Sequence, residues 1–316
     1  MPIGSIVPFD KGVFEGTIDY DFLVSPVKLG SSDKEVTYSF SVDYKPQKVY
    51  LVINIERNKE VNPRWRVWLN DFSLTKEFKP NIDVEDSNKR FSTVIFDVSP
   101  LVRQGKNDVS VVYKELQQIS LINIGHIVFY PAQDFKTYYE LMAGTMLIKP
   151  QEVLNLNCNG ECYLIVRNSN KDGVLQIEDK KFDSRVDLID LLVQKKGNIA
   201  VGFSCGNNVK ASAHLLTFYN LNYVIPKIVL NVQAEVVNYS LTVKLLNEGD
   251  VDLDKVIVNV LLNGASISFK SFENVKKGEL RTFTLPLQPK KGTINVRVVG
   301  IRAGYRKSFD KTLSYS

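Results

Sequence analysis

The sequence predicts an all-β protein made of three consecutive β-sandwich domains, and three observations lead there. Val, Ile, Tyr, Phe and Thr recur in two-residue alternation along the chain, while alanine-rich stretches with helical spacing are nearly absent. The phrase FDVSPLVRQGKNDVSVVY (96–113) returns ninety positions later as VDLIDLLVQKKGNIAVGF (186–203). After NYVIPK (222–227) the pattern changes to short, evenly spaced strands.

A length of 316 residues exceeds one ordinary core and suits two or three domains. With 44% hydrophobic and 24% charged residues, the composition is globular and excludes wholesale disorder. Net charge is +5; from residue 225 onward, 14 Lys/Arg stand against 8 Asp/Glu, a local +6, so the remainder is near neutral. So diffuse an excess, without aromatic-basic signatures or a recognition helix, predicts no nucleic-acid partner. The start, MPIGSIVPFDKGVFEG, lacks the basic and apolar segments of a secretory signal, and no later run reaches membrane-spanning length. The expectation is cytoplasmic synthesis without a transmembrane segment.

The repeated phrase defines the first two domains, 1–133 and the shorter 134–224. At the constant offset, Asp97 meets Asp187, Leu101 meets Leu191, Gln104 meets Gln194, and Val109, Val111 and Tyr113 meet Ile199, Val201 and Phe203. VYLVI (49–53) answers CYLIV (162–166), WLND (68–71) answers QIED (176–179), and FYP (129–131) answers FYN (218–220). The first copy carries a longer loop, SLTKEFKPNIDVEDSNKR (73–90). Within the phrase, Ser99 is expected to cap a short helical turn, Pro100 to open it and Gly105 to end it before an alternating strand, with Asp187 and Gly197 spaced similarly.

A strand ending in VWLND, a variable loop and then FDVSPLVRQGKNDVSVVY resemble the sugar-binding jelly-roll module that accompanies many glycoside hydrolases. Asn70, Asp97, Gly105 and Asn107 stand in that family's characteristic places; the second copy departs, with Glu178 for Asn70. The resemblance implies two tandem jelly-roll-like sandwiches, the second trimmed, and carries over no hydrolase site. The third domain, 225–316, contains LTVKLLNEGDVDLDKVIVNVLLNG, which is similar to the immunoglobulin-like adhesion modules of prokaryotic surface proteins. About seven strands are expected there.

The candidate binding residues are Trp65, Arg66, Trp68 and Asn70. In RWRVWLND, alternation puts Trp65, Val67 and Leu69 on one strand face and Arg66, Trp68 and Asn70 on the other, so one tryptophan enters the core and one points away. A Trp beside Arg and Asn suits stacking on a sugar ring, anchoring a protein partner, or packing beneath the 73–90 loop. GDVDLDKV (249–256) lacks the glycine and bidentate Glu of a calcium loop, and it reads, like DVEDSN (83–88), as a solvated acidic turn. His126 and His214 read as packing residues. Cys158 and Cys162 in CNGEC either close a small loop or flank a turn at strand ends, and Cys205 is the odd one. Asn238-Tyr239-Ser240 is the one glycosylation sequon. No phosphate-binding glycine loop, nucleophile elbow or metal spacing is present, so catalytic and metal residues and a cofactor are all expected to be none.

The sequence therefore predicts a non-enzymatic structural or adhesive protein of a surface assembly. A virion vertex, turret or spike, or a cell envelope, would be its setting, with protein partners and a possible homo-oligomer. The alternative is a carbohydrate-binding protein; a weaker one is an accessory subunit of a glycoside-processing enzyme.

Overall fold

The computed structural model describes residues 3–183, 186–206, 211–288 and 291–315. Among them there are 24 strands and no helix. The strands gather into two compact units: one holds the chain to Phe14, Ile18–Pro131 and Thr137–Tyr223, the other Glu15–Thr17, Ala132–Lys136 and the chain from Val224.

In the first unit, two sheets face each other. One has the order β2 (Gly16–Leu23), β11 (Ile119–Pro131), β5 (Lys48–Asn58), β9 (Lys89–Asp97), β8 (Ile82–Asp86), with β3 (Val27–Leu29) also on β11. The other runs β4 (Glu35–Val42), β10 (Gly105–Tyr113), β6 (Trp65–Leu69), β7 (Phe72–Thr75). Alternate residues of β10 and β6, among them Val109, Val111, Tyr113, Trp65 and Val67, meet Leu51, Ile53 and Ile55 in a shared apolar core. The stretch expected as a loop at 73–90 is instead mostly β7, β8 and the start of β9.

A seven-stranded sheet completes this unit, in the order β1 (Ile3–Phe14), β12 (Lys136–Ile148), β17 (Ala213–Val224), β13 (Val153–Arg167), β16 (Leu188–Ser204), β14 (Val174–Ile177), β15 (Lys180–Phe182). The β1 strand therefore crosses the boundary expected at 133/134, pairing along its length with β12. The run β13-β16-β14-β15 repeats the order β4-β10-β6-β7, while β17-β13-β16 repeats β11-β5-β9. Two strands of the second copy thus each do the work of two in the first: β13 stands for β4 and β5, and β16 for β9 and β10.

The fusion has a local cause. Between β9 and β10 the ladder ends at Asp97 and Val98, and the chain turns through Pro100, which has no N–H to donate, with Leu101 and Val102 bonded to the Val98 carbonyl. The turn is capped by Asp97, whose Oδ1 accepts the Ser99 amide at 3.1 Å; Ser99, expected as the cap, instead accepts the Val49 amide on its Oγ at 2.9 Å. The second copy has no proline in the phrase, Asp190 standing there at the sequence offset of ninety, and the strand runs on. It must bend instead, and Cys158 and Cys162 lie only 5.9 Å apart at Cα, where four extended residues would span about 13 Å. Gly160 and Gly197 supply backbone with φ of 140° and 126° at this corner. Of the two alternatives for CNGEC the structure shows the closed loop: the cysteines sit mid-strand and are bonded, while Cys205 is free and buried.

Pairing also refines the repeat. Leu69 opposes Val109 and Ile177 opposes Val201, so Val109 corresponds to Val201, an offset of 92 (201 − 109), and not to Ile199. The two-residue difference preserves which side chains face inward, which is why the sequences match at either offset.

The β2–β11–β5–β9 sheet is covered on its second face too, where Phe22, Val52, Ile127 and Phe129 pack with Leu141, Ile165, Leu216 and Tyr219. Burial on both faces explains the near-continuous apolar run ISLINIGHIVFY in β11. Gly125 is obligatory there, since a Cβ would lie 2.1 Å from the Phe22 ring.

The second unit contains a seven-stranded sandwich. One sheet is β18 (Leu230–Val237), β19 (Ser240–Asn247), β22 (Leu280–Pro286); the other is β21 (Ala265–Val275), β20 (Leu253–Leu262), β23 (Gly292–Arg302), β24 (Tyr305–Tyr315). Leu241, Val243 and Leu245 of the first meet Val256, Val258, Val260, Val296 and Val298 of the second. Left-handed residue pairs at Asn238-Tyr239, Asn263-Gly264 and Ala303-Gly304 make the tight hairpins that suit twisted strands.

Candidate functional site

Of the sequence-predicted binding residues, the structure separates Trp65 from the rest. Trp65 is fully buried, donates Nε1–H to the Glu77 carbonyl at 2.9 Å and meets Phe78 edge to face. Its surface is used up in the core. Arg66 is exposed and makes no ion pair among the described residues, and Trp68 is half-buried on the same outer face. Asn70 pins a turn at φ 47°: its Nδ2 donates to Asn107 Oδ1 at 2.7 Å, and its Oδ1 accepts the Asp108 amide at 3.0 Å.

Strand register decides what surrounds Trp68. Its neighbours across the ladders are Ser110 on β10 and Ser73 on β7, with Thr37 of β4 opposite Ser110 and Ser39 opposite Asp108. The Ser39 hydroxyl donates to Asp108, and Ser110 donates to Glu35. Hydrogen bonding from Ser39, with Lys106 beside it, holds the Asp108 carboxyl below its usual range. The outer face is therefore one indole set among hydroxyls, carboxylates and a guanidinium, which can offer a stacking surface with donors and acceptors at its margin. Next to it, Asn70, Phe72, Leu101 and Arg103 line a shallow groove of about 310 Å³, with Phe72 56% exposed. Sequence inspection finds Trp68 but not Thr37, Ser39 or Ser110 near it, because they come from strands distant in the chain.

A second polar group lies between the sheets of the first unit. Asp86, at the β8–β9 turn, accepts the Ser212 hydroxyl at 2.7 Å and lies 3.5 Å from both His214 Nε2 and Lys149 Nζ. The acidic turn expected to be solvated at 83–88 is so only in part: Glu85, Ser87 and Asn88 are exposed, but Asp83 pairs with buried Arg57 at 3.0 Å, and Asp86 is half-buried among Ser212, His214 and Lys149. Hydrogen bonds from His214 and Ser212 lower Asp86, while burial lowers His214, whose ring lies tilted against that of Phe91 at 4.2 Å. In a nucleophile relay the imidazole would stand between hydroxyl and carboxylate. Here Ser212 donates directly to Asp86, and both lie beside the same His214 Nε2, the hydroxyl at 3.2 Å and the carboxylate at 3.5 Å, so the order of that relay is not formed. His126 is likewise interior, 2.6 Å from the Tyr38 hydroxyl and stacked on Phe40, and burial depresses it to about 4.

Turn 249–256 is more engaged than a solvated loop. Asp252 pairs with Lys276 at 2.9 Å, and Asp254 with Arg302 at 2.8 Å. Among the described residues no three His, Cys, Asp or Glu side chains are grouped to hold a metal ion. No helix of the described residues is long and apolar enough to cross a membrane.

In the second unit, edge strand β21 exposes Phe269 (67%) and Ile267 (40%).

No protein-family model matches the chain, and no curated relative does. Among solved structures it is similar to Parabacteroides merdae β-glucuronidase, at 9% identity over 58% of this chain and 29% of that one, with a TM-score of 0.25. It is also similar to Ruminococcus gnavus β-glucuronidase, at 10% identity over 89% of this chain and 35% of that one, with a TM-score of 0.21. With that enzyme in complex with D-glucaro-d-lactam the coverage is 99% and 45%, again at 10% identity and a TM-score of 0.21. The chain thus spans 29% to 45% of the length of these three.

Proposed function

We propose that the chain is a non-enzymatic structural or adhesive protein of a surface assembly, a virion vertex, turret or spike or a cell envelope, and that it works through protein–protein contacts. The observation that supports this reading is the uncovered β21 edge. Unpaired backbone groups together with Phe269 and Ile267 form the kind of edge that soluble proteins normally blunt unless something docks there. Fractionation of the native source tests it: the protein should travel with released particles or with the envelope. Recovery as a free monomer throughout would sink the reading.

A second reading, carbohydrate binding, is favoured by the Trp68 face with its ring of hydroxyls, Asp108 and Arg66. Under it, Trp68→Ala abolishes retention on a polysaccharide column that holds the unaltered chain, while the Trp65 core keeps the domain folded. Undiminished retention would count against that site.

A further inference from the structure

The C-terminal sandwich is closed on one side and open on the other. Strand β18 packs alongside β24, joining the two sheets there. On the far side β21 and β22 are both sheet edges and are not hydrogen-bonded to each other. Between them lies a groove of about 500 Å³, where Leu262, Ile267, Leu285, Pro286 and Leu287 form an apolar part flanked by Asn263 and Gln288. Leu262, Leu285 and Leu287 belong to the sandwich core, so the groove is the core's own margin reaching solvent. Ile267 is placed there by a β-bulge: opposite Val260 and Leu261, β21 passes from Ser268 to Ser266 with Ile267 left unmatched. A bulge re-aims its side chain, and here it turns an isoleucine toward the groove.

Charge distinguishes the possible occupants. Residues 225–316 carry 14 Lys/Arg and 8 Asp/Glu. Toward the far end of β21 and β22, Lys255 is paired with Glu273, Arg281 with Glu279 and Lys276 with Asp252. Lys270 is different. Its ammonium sits 5.0 Å from the Phe283 ring, over the space between β21 and β22, and forms no ion pair among the described residues. A cation held over an aromatic ring at an apolar opening is complementary to a carboxylate.

We propose that this side of the sandwich receives an extended segment of a partner protein, added as a strand beside β21, with an acidic residue facing Lys270 followed at alternate positions by two apolar residues that fill the groove. The spacing follows from the ladder. Lys270 and Ser268 point to the same side of β21, so an antiparallel strand that puts a carboxylate opposite the first puts its next inward residues opposite Ser268 and the bulge. The backbone of β21 supplies the hydrogen bonds, and the leucines supply the apolar contact. This inference rests on the reading of the chain as a contact-making protein and names the chemistry of one partner.

The test uses the whole chain and a short fluorescent peptide of one glutamate, then two valines at alternate positions with threonines between. Its match has lysine in place of the glutamate. Anisotropy should show the glutamate peptide binding about tenfold more tightly than the lysine peptide, with the gap shrinking as salt rises. In Lys270→Glu, a surface change that leaves the sandwich intact, the preference should reverse. Equal binding of both peptides, binding untouched by Lys270→Glu, or no binding at all would each overturn the proposal. So would a dimer formed by the chain alone through this edge, since a second copy would then be the occupant. Particle or envelope fractionation is read separately, so failure here leaves the broader reading to its own test.

Discussion

Residues 96–113 and 186–203 say nearly the same thing in sequence and do different things in space. In the first, strand β9 ends, the chain turns at Pro100, and β10 begins in the opposite sheet. In the second, one strand of 17 residues runs through both sheets' positions and bends at Gly197. The side chains facing inward are nonetheless equivalent, Val109 and Val111 in one and Val201 and Phe203 in the other. What such a repeat preserves is the inward and outward parity that fills a core. Whether the backbone crosses by a loop or by a bent strand is left to single residues, a proline in one copy and a pair of glycines with a disulfide in the other.

The sharpest way to break the second solution is at its corner. A Cβ on Gly160 would sit 2.5 Å from the Leu221 carbonyl oxygen at a φ of 140°, whereas one on Gly197 meets nothing within 4 Å. Backbone strain together with a clash puts Gly160→Ala at about 3 kcal/mol or more of lost stability, and strain alone puts Gly197→Ala at about 1–2 kcal/mol. Denaturant unfolding of the two variants measures the gap. Equal losses would mean that the corner is set elsewhere.

The disulfide is the next part of that corner, and the first copy has no counterpart to it. Closing a loop of this size restricts the unfolded chain by about 2 kcal/mol in the chain-entropy picture. Reduction should therefore lower the unfolding midpoint, and because both sulfurs are buried, alkylation should label Cys158 and Cys162 only after unfolding with reductant present. An unchanged midpoint in reducing buffer would show that the glycines alone hold the bend.

These differences mark how far the sequence could be read. Strand alternation gives the all-β class, and the evenly spaced runs after Pro226 coincide with β18, β19, β20, β22 and β23, because local parity is all that such strands require. The same parity separates Trp65 from Trp68. The docking of β1 onto β12 leaves no local sign, since any alternating strand could take that edge. Nor does the union of Asp86 with Ser212 and His214, which is made by two sheets meeting and not by spacing within either strand. Residues 73–90 are polar enough to suggest a loop, yet Val84 and Phe91 give the β8–β9 hairpin an apolar side to bury. Charged residues on the other side of a hairpin hide that signal.

The smallest effect lies at the one position where the copies solve the same problem with different chemistry. Asn70 and Glu178 both occupy left-handed turn positions, and each side chain accepts a backbone amide from the neighbouring strand, Asp108 at 3.0 Å and Ala200 at 2.7 Å. Asn70 also donates to Asn107, which is wholly buried, so Asn70→Ala removes a partner from an interior amide and should cost about 1.5 kcal/mol. Glu178 has Lys195 as its other partner at 2.6 Å, and both are partly exposed. Glu178→Gln keeps the amide acceptor and loses only the ion pair, a change of a few tenths of a kcal/mol. That loss should fade in high salt, while the Asn70→Ala loss should not. A Glu178→Gln effect as large and as salt-insensitive as Asn70→Ala would mean that the carboxylate does more in the second copy than the amide does in the first.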